Sequence, residues 1–118
     1  MATSYVPERG DLVWLQFNPQ AGHEQAGHRP ALVVSPRSYN RRVGLALFCP
    51  ITSQVKGYPF EVVLPGDLGV QGAVLSDQLK SLDWRVRQAK RIARLPAEVR
   101  DEAVGKILAL VDPAGEAR

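Results

Sequence analysis

Cysteine is almost missing from this chain, with Cys49 alone among 118 residues. An internal disulfide is thereby excluded, and with Leu47, Phe48 and Ile51 beside it Cys49 reads as a buried core residue, not a reactive thiol. Histidine is scarce too: His23 and His28 are the only two. Two imidazoles five residues apart in a glycine-containing loop do not make a metal-ligand set, so neither a metal nor a cofactor is expected. The longest strongly apolar stretch, Val43 to Ile51, is far shorter than the roughly 18 residues that span a bilayer, so no membrane segment is expected. MATSYVPERG lacks a positive n-region followed by an apolar core and cleavage site, and the reading is a cytoplasmic protein. Acidic residues are absent from the whole of residues 25–60.

That last gap is not matched by a lack of cations. Arg29, Arg37, Arg41, Arg42 and Lys56 fall inside it, and a second basic run follows in Lys80, Arg85, Arg87, Lys90, Arg91 and Arg94 against Asp83 alone. Although net charge is only +3, the acids gather towards both ends. The middle of the chain therefore carries a field that attracts a phosphate-bearing partner, unless these are simply solvated strand faces. At 12.9 kDa and 45% hydrophobic residues, the chain fits one domain over residues 1–118 that folds by burial, with 113–118 as a frayed tail.

Asp11 to Phe17 is apolar on both alternating faces, as in a strand covered on each side or curled into a barrel. A loop rich in Gly, Pro and Asn follows, and ALVV after it reads as a second strand, with Pro30 at its start where a missing N–H is tolerated. Ser35 to Arg42 fits one helical turn capped by Ser35. VGLALFCPI and FEVVL are the third and fourth strands. GAVLSDQLKSL reads as one long strand that turns from apolar to polar midway, and RQAKRIARL as one more. Pro96 opens a helix in which Val99, Ala103, Ile107, Leu110 and Val111 form one apolar stripe, and Pro113 ends it. Six or seven short strands and a late helix predict a mainly β, α+β fold: a compact antiparallel barrel or curled sheet capped by the C-terminal helix.

Two segments hold chemistry. Glu24-Gln25-Ala26-Gly27-His28-Arg29-Pro30 sets an acid, an imidazole and a guanidinium around one loop-to-strand junction, although a structural Glu24–Arg29 ion pair would look the same. In Pro50 to Pro59, the Thr52 and Ser53 hydroxyls and the Lys56 ammonium are donors for a phosphate, and Tyr58 is a ring on which a base can stack. An ordinary hairpin turn fits that segment equally well. Trp14, inside an apolar strand, reads as core.

Taken together, YVPERGDLVWLQFNP, EQAGHRPALVVSP with its following YN, CPITSQVKGYPFEVVL and LSDQLKSLDWRVR resemble, in order and spacing, the MazF/PemK family of toxin endoribonucleases. The resemblance runs from about Tyr5 to Val111. It implies an SH3-like curled antiparallel barrel, a homodimer, and metal-independent, sequence-specific cleavage of single-stranded RNA to 2′,3′-cyclic phosphate and 5′-hydroxyl ends. It also implies a cognate, MazE-like antitoxin whose acidic segment blocks the basic groove. The family's catalytic arginine falls on Arg29, its catalytic threonine on Thr52 and its loop acid on Glu24. Ile51 departs from close relatives that carry cysteine there, which touches no catalytic group.

A guanidinium is a poor proton acceptor but a good clamp, so Arg29 reads as stabiliser of the phosphorane and Thr52 as a second donor to it. Proton transfer then falls to Glu24 or His28, with Glu24 first by resemblance. Phe17, Asn18, Ser53, Lys56, Gln78 and Lys80 are the expected RNA contacts, the last two near a dimer groove, and Trp84 is expected at the subunit interface. The same barrel also serves toxins that bind gyrase without cutting RNA, which leaves a non-enzymatic poison as the alternative. An inactive RNA-binding module is a third.

Overall fold

The computed structural model describes residues 5–16 and 28–112. Seven strands and two helices follow in the order β1 (Asp11–Gln16), β2 (His28–Val33), α1 (Arg37–Val43), β3 (Leu45–Thr52), β4 (Glu61–Val63), β5 (Ala73–Leu75), β6 (Lys80–Asp83), β7 (Lys90–Arg94) and α2 (Ala97–Val111). Every pairing is antiparallel, in the order β4-β5-β3-β2-β1-β7 with β6 also on β3. The sheet is thus curled but not closed, and the mainly β fold with a C-terminal helix is as expected.

Apolar residues on both faces of β1 have a direct cause. Leu12 joins one buried cluster with Leu32, Cys49, Ile51, Val74, Ala103 and Ile107. Val13 and Leu15 join another with Ala31, Val33, Ala46, Phe48 and Trp84. Alternate residues of β1, β2 and β3 therefore feed opposite faces, as the two-residue period of a strand requires. Helix α2 covers the first cluster through Ala103 and Ile107, while the N-terminal residues Tyr5 and Val6 cover the second. The core thickness is supplied twice, and both faces of the central strands are covered except at the end where His28 and Arg29 are exposed.

Several expectations change. Ser35 does not cap α1, because its hydroxyl donates to Asn40 Oδ1 at 2.6 Å and accepts the Leu47 N–H at 2.8 Å. The cap comes instead from Glu8, whose Oε1 accepts the Arg37 N–H at 2.7 Å. That contact, first among its causes, holds the Glu8 carboxyl below the usual carboxylate range. Trp84 is buried in its own chain's core with its indole N–H on the Asn40 carbonyl at 3.0 Å, which removes it from any subunit interface. Trp14 is only half-buried, against His28. The α2 stripe is buried only at Ala103 and Ile107, whereas Leu110 and Val111 are exposed.

The predicted long strand is two strands. Leu47 accepts the Val34 N–H, so odd residues of β3 bond towards β2 and even ones, Pro50 among them, towards β6 and β5. Pro50 has no N–H to give that edge. Between the Phe48–Lys80 and Ile51–Val74 pairs, β3 uses residues 49–50 while the opposite chain uses 75–79, and the extra length loops outward.

Candidate functional site

Pro30 repeats the effect on the other side of β3. Leu32 and Pro30 face β3, and the β2–β3 ladder stops at Ala31–Pro50, one step before the pair in which Pro30 would have to donate. Continuing that register past its end would set Arg29 opposite Thr52. With one proline silencing each edge of β3, the sheet parts, and a groove of about 830 Å³ opens over the end of the strand.

The groove gathers seven of the residues expected from sequence: His28 and Arg29 from β2, Thr52 from β3, Ser53 and Lys56 after it, Gln78 from the outward loop and Lys80 from β6. Arg29, Lys56 and Lys80 supply cationic side chains, and no described carboxylate lines the surface. Such a surface favours a polyanion. His28 leans on Trp14 with ring centroids 5.5 Å apart, which restrains the imidazole at the rim. Phe17, Asn18 and Glu24 lie outside the described residues. Gln16 and His28, the described residues nearest to them in the chain, are cross-strand partners, and His28 lines the groove.

Thr52 is held with little freedom. Its Oγ1 accepts the Gln54 N–H at 3.0 Å, turning the chain out of β3. Gly72 lies so close beneath it that a Cβ there would meet the Thr52 carbonyl oxygen at 2.0 Å, at a φ of +132° that L side chains rarely adopt. Cys49, below in the core, is no nucleophile: burial first, then the Asp77 carboxylate, pushes its thiol up to about 12.

Three contributors escaped the sequence reading. Gln54 and Gln71 line the groove as neutral hydrogen-bonding side chains; Gln54 stands within residues 50–59 but carries no charge to single it out, and no pattern marks Gln71. Glu61 is buried, and its carboxylate accepts the N–H groups of Lys56 and Gly57. An acid inside FEVVL, four residues after a glycine turn, was the available signal. A second hollow of about 370 Å³ shares Thr52, Gln54, Lys56, Leu75 and Gln78 with the first and adds Tyr58, Pro59, Phe60, Glu61 and Asp77. Tyr58 is exposed there, with Lys56 Nζ 6.0 Å from its ring centroid. At the far end of this loop, Lys106 of α2 donates to the Pro59 carbonyl.

Among the described residues no group of three or more His, Cys, Asp and Glu is placed to hold a metal ion, and no helix is long and apolar enough to cross a membrane. Residues 8–111 match the family model of the PemK-like, MazF-like toxins of type II toxin-antitoxin systems. The endoribonuclease toxin MazF of Escherichia coli (strain K12) is 48% identical over 111 residues, covering 94% of this chain and 99% of the relative. A crystal structure of MazF from Deinococcus radiodurans is 58% identical, with a TM-score of 0.83 over 92% of this chain and 98% of that one. A MazE-MazF structure from the same organism has 51% identity and a TM-score of 0.83, again over 92% and 98%. With the curled sheet, the basic groove and the family match over almost the whole length in agreement, this chain belongs to the PemK/MazF family of type II toxin-antitoxin toxins.

Proposed function

We propose that this endoribonuclease toxin cleaves single-stranded RNA in the groove between Arg29 and Thr52, without a metal ion, leaving 2′,3′-cyclic phosphate and 5′-hydroxyl ends. The observation that carries the reading is the convergence of Arg29, Thr52, Lys56 and Lys80 on one groove with no described carboxylate in its lining. In the reaction the 2′-oxygen attacks the adjacent phosphorus, its proton passes to a base, and the 5′-oxygen leaves with a proton from an acid. Arg29 clamps two phosphate oxygens through paired N–H donors as charge builds, and the Thr52 hydroxyl donates to a non-bridging oxygen. Glu24 and His28 are the candidates for proton transfer. Unstacked bases reach Tyr58 and Phe17, Lys56 contacts a backbone phosphate, and Asn18, Ser53, Gln78 and Lys80 lie along the bound strand.

The relatives are named as endoribonucleases, which favours cleavage over gyrase binding. The likeness to MazE-MazF structures supports a MazE-like antitoxin as partner and a dimeric toxin. In this reading the antitoxin's acidic segment competes with RNA for the groove, and the toxin acts in the cytoplasm as a homodimer with a single domain per chain. Incubation of the purified protein with a long single-stranded RNA in EDTA is the test. Discrete fragments with cyclic-phosphate and 5′-hydroxyl ends are expected, and are expected to vanish with Arg29→Ala. Uncut RNA with folded protein and varied sequences would overturn the reading.

A further inference from the structure

The connection from β3 to β4 carries two of the groove's donors, Ser53 and Lys56, yet residues 53–60 pair with no strand. Something other than a ladder must fix them. Glu61 stands at the end of this connection, 8% exposed. Its Oε1 accepts the Gly57 N–H at 2.8 Å and the Lys56 N–H at 3.0 Å, and Oε2 accepts the Lys56 N–H at 3.3 Å. Successive N–H groups converging on an anion make a backbone nest, and Gly57 at a φ of +81° permits the turn. Here the anion is the protein's own carboxylate.

The sheet itself has no need of an acid at this position. Val62 carries β4 into the core, while Glu61 shares its side of the strand with Val63, which is 60% exposed. The carboxylate is buried by the connection it binds.

We propose that Glu61 is a positioning residue for RNA binding: by drawing the Lys56 and Gly57 N–H groups inward, it fixes Lys56 in the groove wall, from which the ammonium, 6.0 Å from the Tyr58 ring centroid, reaches for the RNA backbone. The inference rests on the proposed role of Lys56 as a phosphate contact. Without Glu61, water replaces the carboxylate on both N–H groups, the connection samples other shapes, and the ammonium is no longer held where the backbone passes.

The test compares kcat/KM for one RNA over a range of salt. Lys56→Ala should flatten the slope of log kcat/KM against log salt by about 0.7, the share of one phosphate contact on a single strand. Glu61→Ala should flatten it equally, raise KM about tenfold, and leave kcat within about twofold. The double variant should be no worse than either single one, because both changes remove the same contact. A wild-type slope in Glu61→Ala, or effects that multiply in the double variant, would overturn the proposal. If Lys56→Ala alone leaves the slope unchanged, the Lys56 reading falls and this one with it, whereas a flattened Lys56→Ala slope beside a wild-type Glu61→Ala slope refutes the positioning role only. Should Glu61→Ala fail to fold by circular dichroism, Glu61→Gln decides. It keeps one acceptor, so an intermediate slope supports the proposal and a wild-type slope refutes it.

Discussion

Asp11 and Glu61 are both buried carboxylates, and they are satisfied in opposite ways. Asp11, 1% exposed, is surrounded mostly by side chains: it accepts the Tyr5 hydroxyl at 2.6 Å and the Arg94 guanidinium at 3.2 Å, with the Glu8 N–H at 3.1 Å. These partners come from the N-terminal segment and from β7, so the acid ties distant parts of the chain to β1. Glu61 takes only neighbouring backbone N–H groups and ties down one loop. A buried charge therefore serves the whole fold in one place and the local shape of a surface in the other, according to how far along the chain its donors lie. Losing the first should cost stability, and losing the second should cost function.

The sharpest test of that division lies in the groove itself. Arg29→Ala and Thr52→Ala are each expected to lower cleavage by about 10²- to 10³-fold, with melting temperature unchanged, as read by fragment-release kinetics beside a thermal scan. Asp11→Ala should do the reverse, removing about 2–3 kcal/mol in denaturant unfolding while cleavage per folded molecule stays at the wild-type rate. A fall in that rate would break the comparison. Gly72→Ala should blur it on purpose, because the new Cβ collides with the Thr52 carbonyl. A loss of about 1–3 kcal/mol accompanied by slower cleavage is expected, and either one alone would show that Thr52 is held by something else.

The smallest effect concerns Tyr5. Burial first, then the hydrogen bond and charge of Asp11, raise its phenol far above the ordinary value of 10.0. The neutral phenol is therefore favoured by folding, and its contribution is fully present below the unfolded value near 10 and drains away as pH climbs above it. Tyr5→Phe should cost about 1 kcal/mol at pH 7 and make the alkaline loss of stability less steep in unfolding curves taken from pH 8 upward.

Strand alternation and the late helix were legible because burial writes a period into the chain. Leu12 against Val13 and Leu15, and Ala103 with Ile107, followed it. Proline effects were legible only as local tolerance. That Pro30 and Pro50 would silence opposite edges of β3 depends on which way each backbone N points, and this needs the register. Trp84 misled because its charged neighbours, Asp83 and Arg85, suggested a surface, whereas its indole N–H had a distant carbonyl partner. The candidate site was marked by two short segments and a family resemblance. Glu61 was overlooked because its donors belong to the backbone, so that its only mark in the sequence was an acid inside FEVVL four residues after a glycine.

Strand β1 has a consequence for the timing of synthesis. One edge of it pairs with β2, soon after it in the chain, but the other pairs with β7, where Asp11 meets Arg94. During translation that second edge has no partner until β7, the last of the seven described strands, has left the ribosome, although the groove strands β2, β3 and β5 have by then long been available to one another. A toxin assembled in this order leaves one edge of its central strand waiting while its groove is already taking shape.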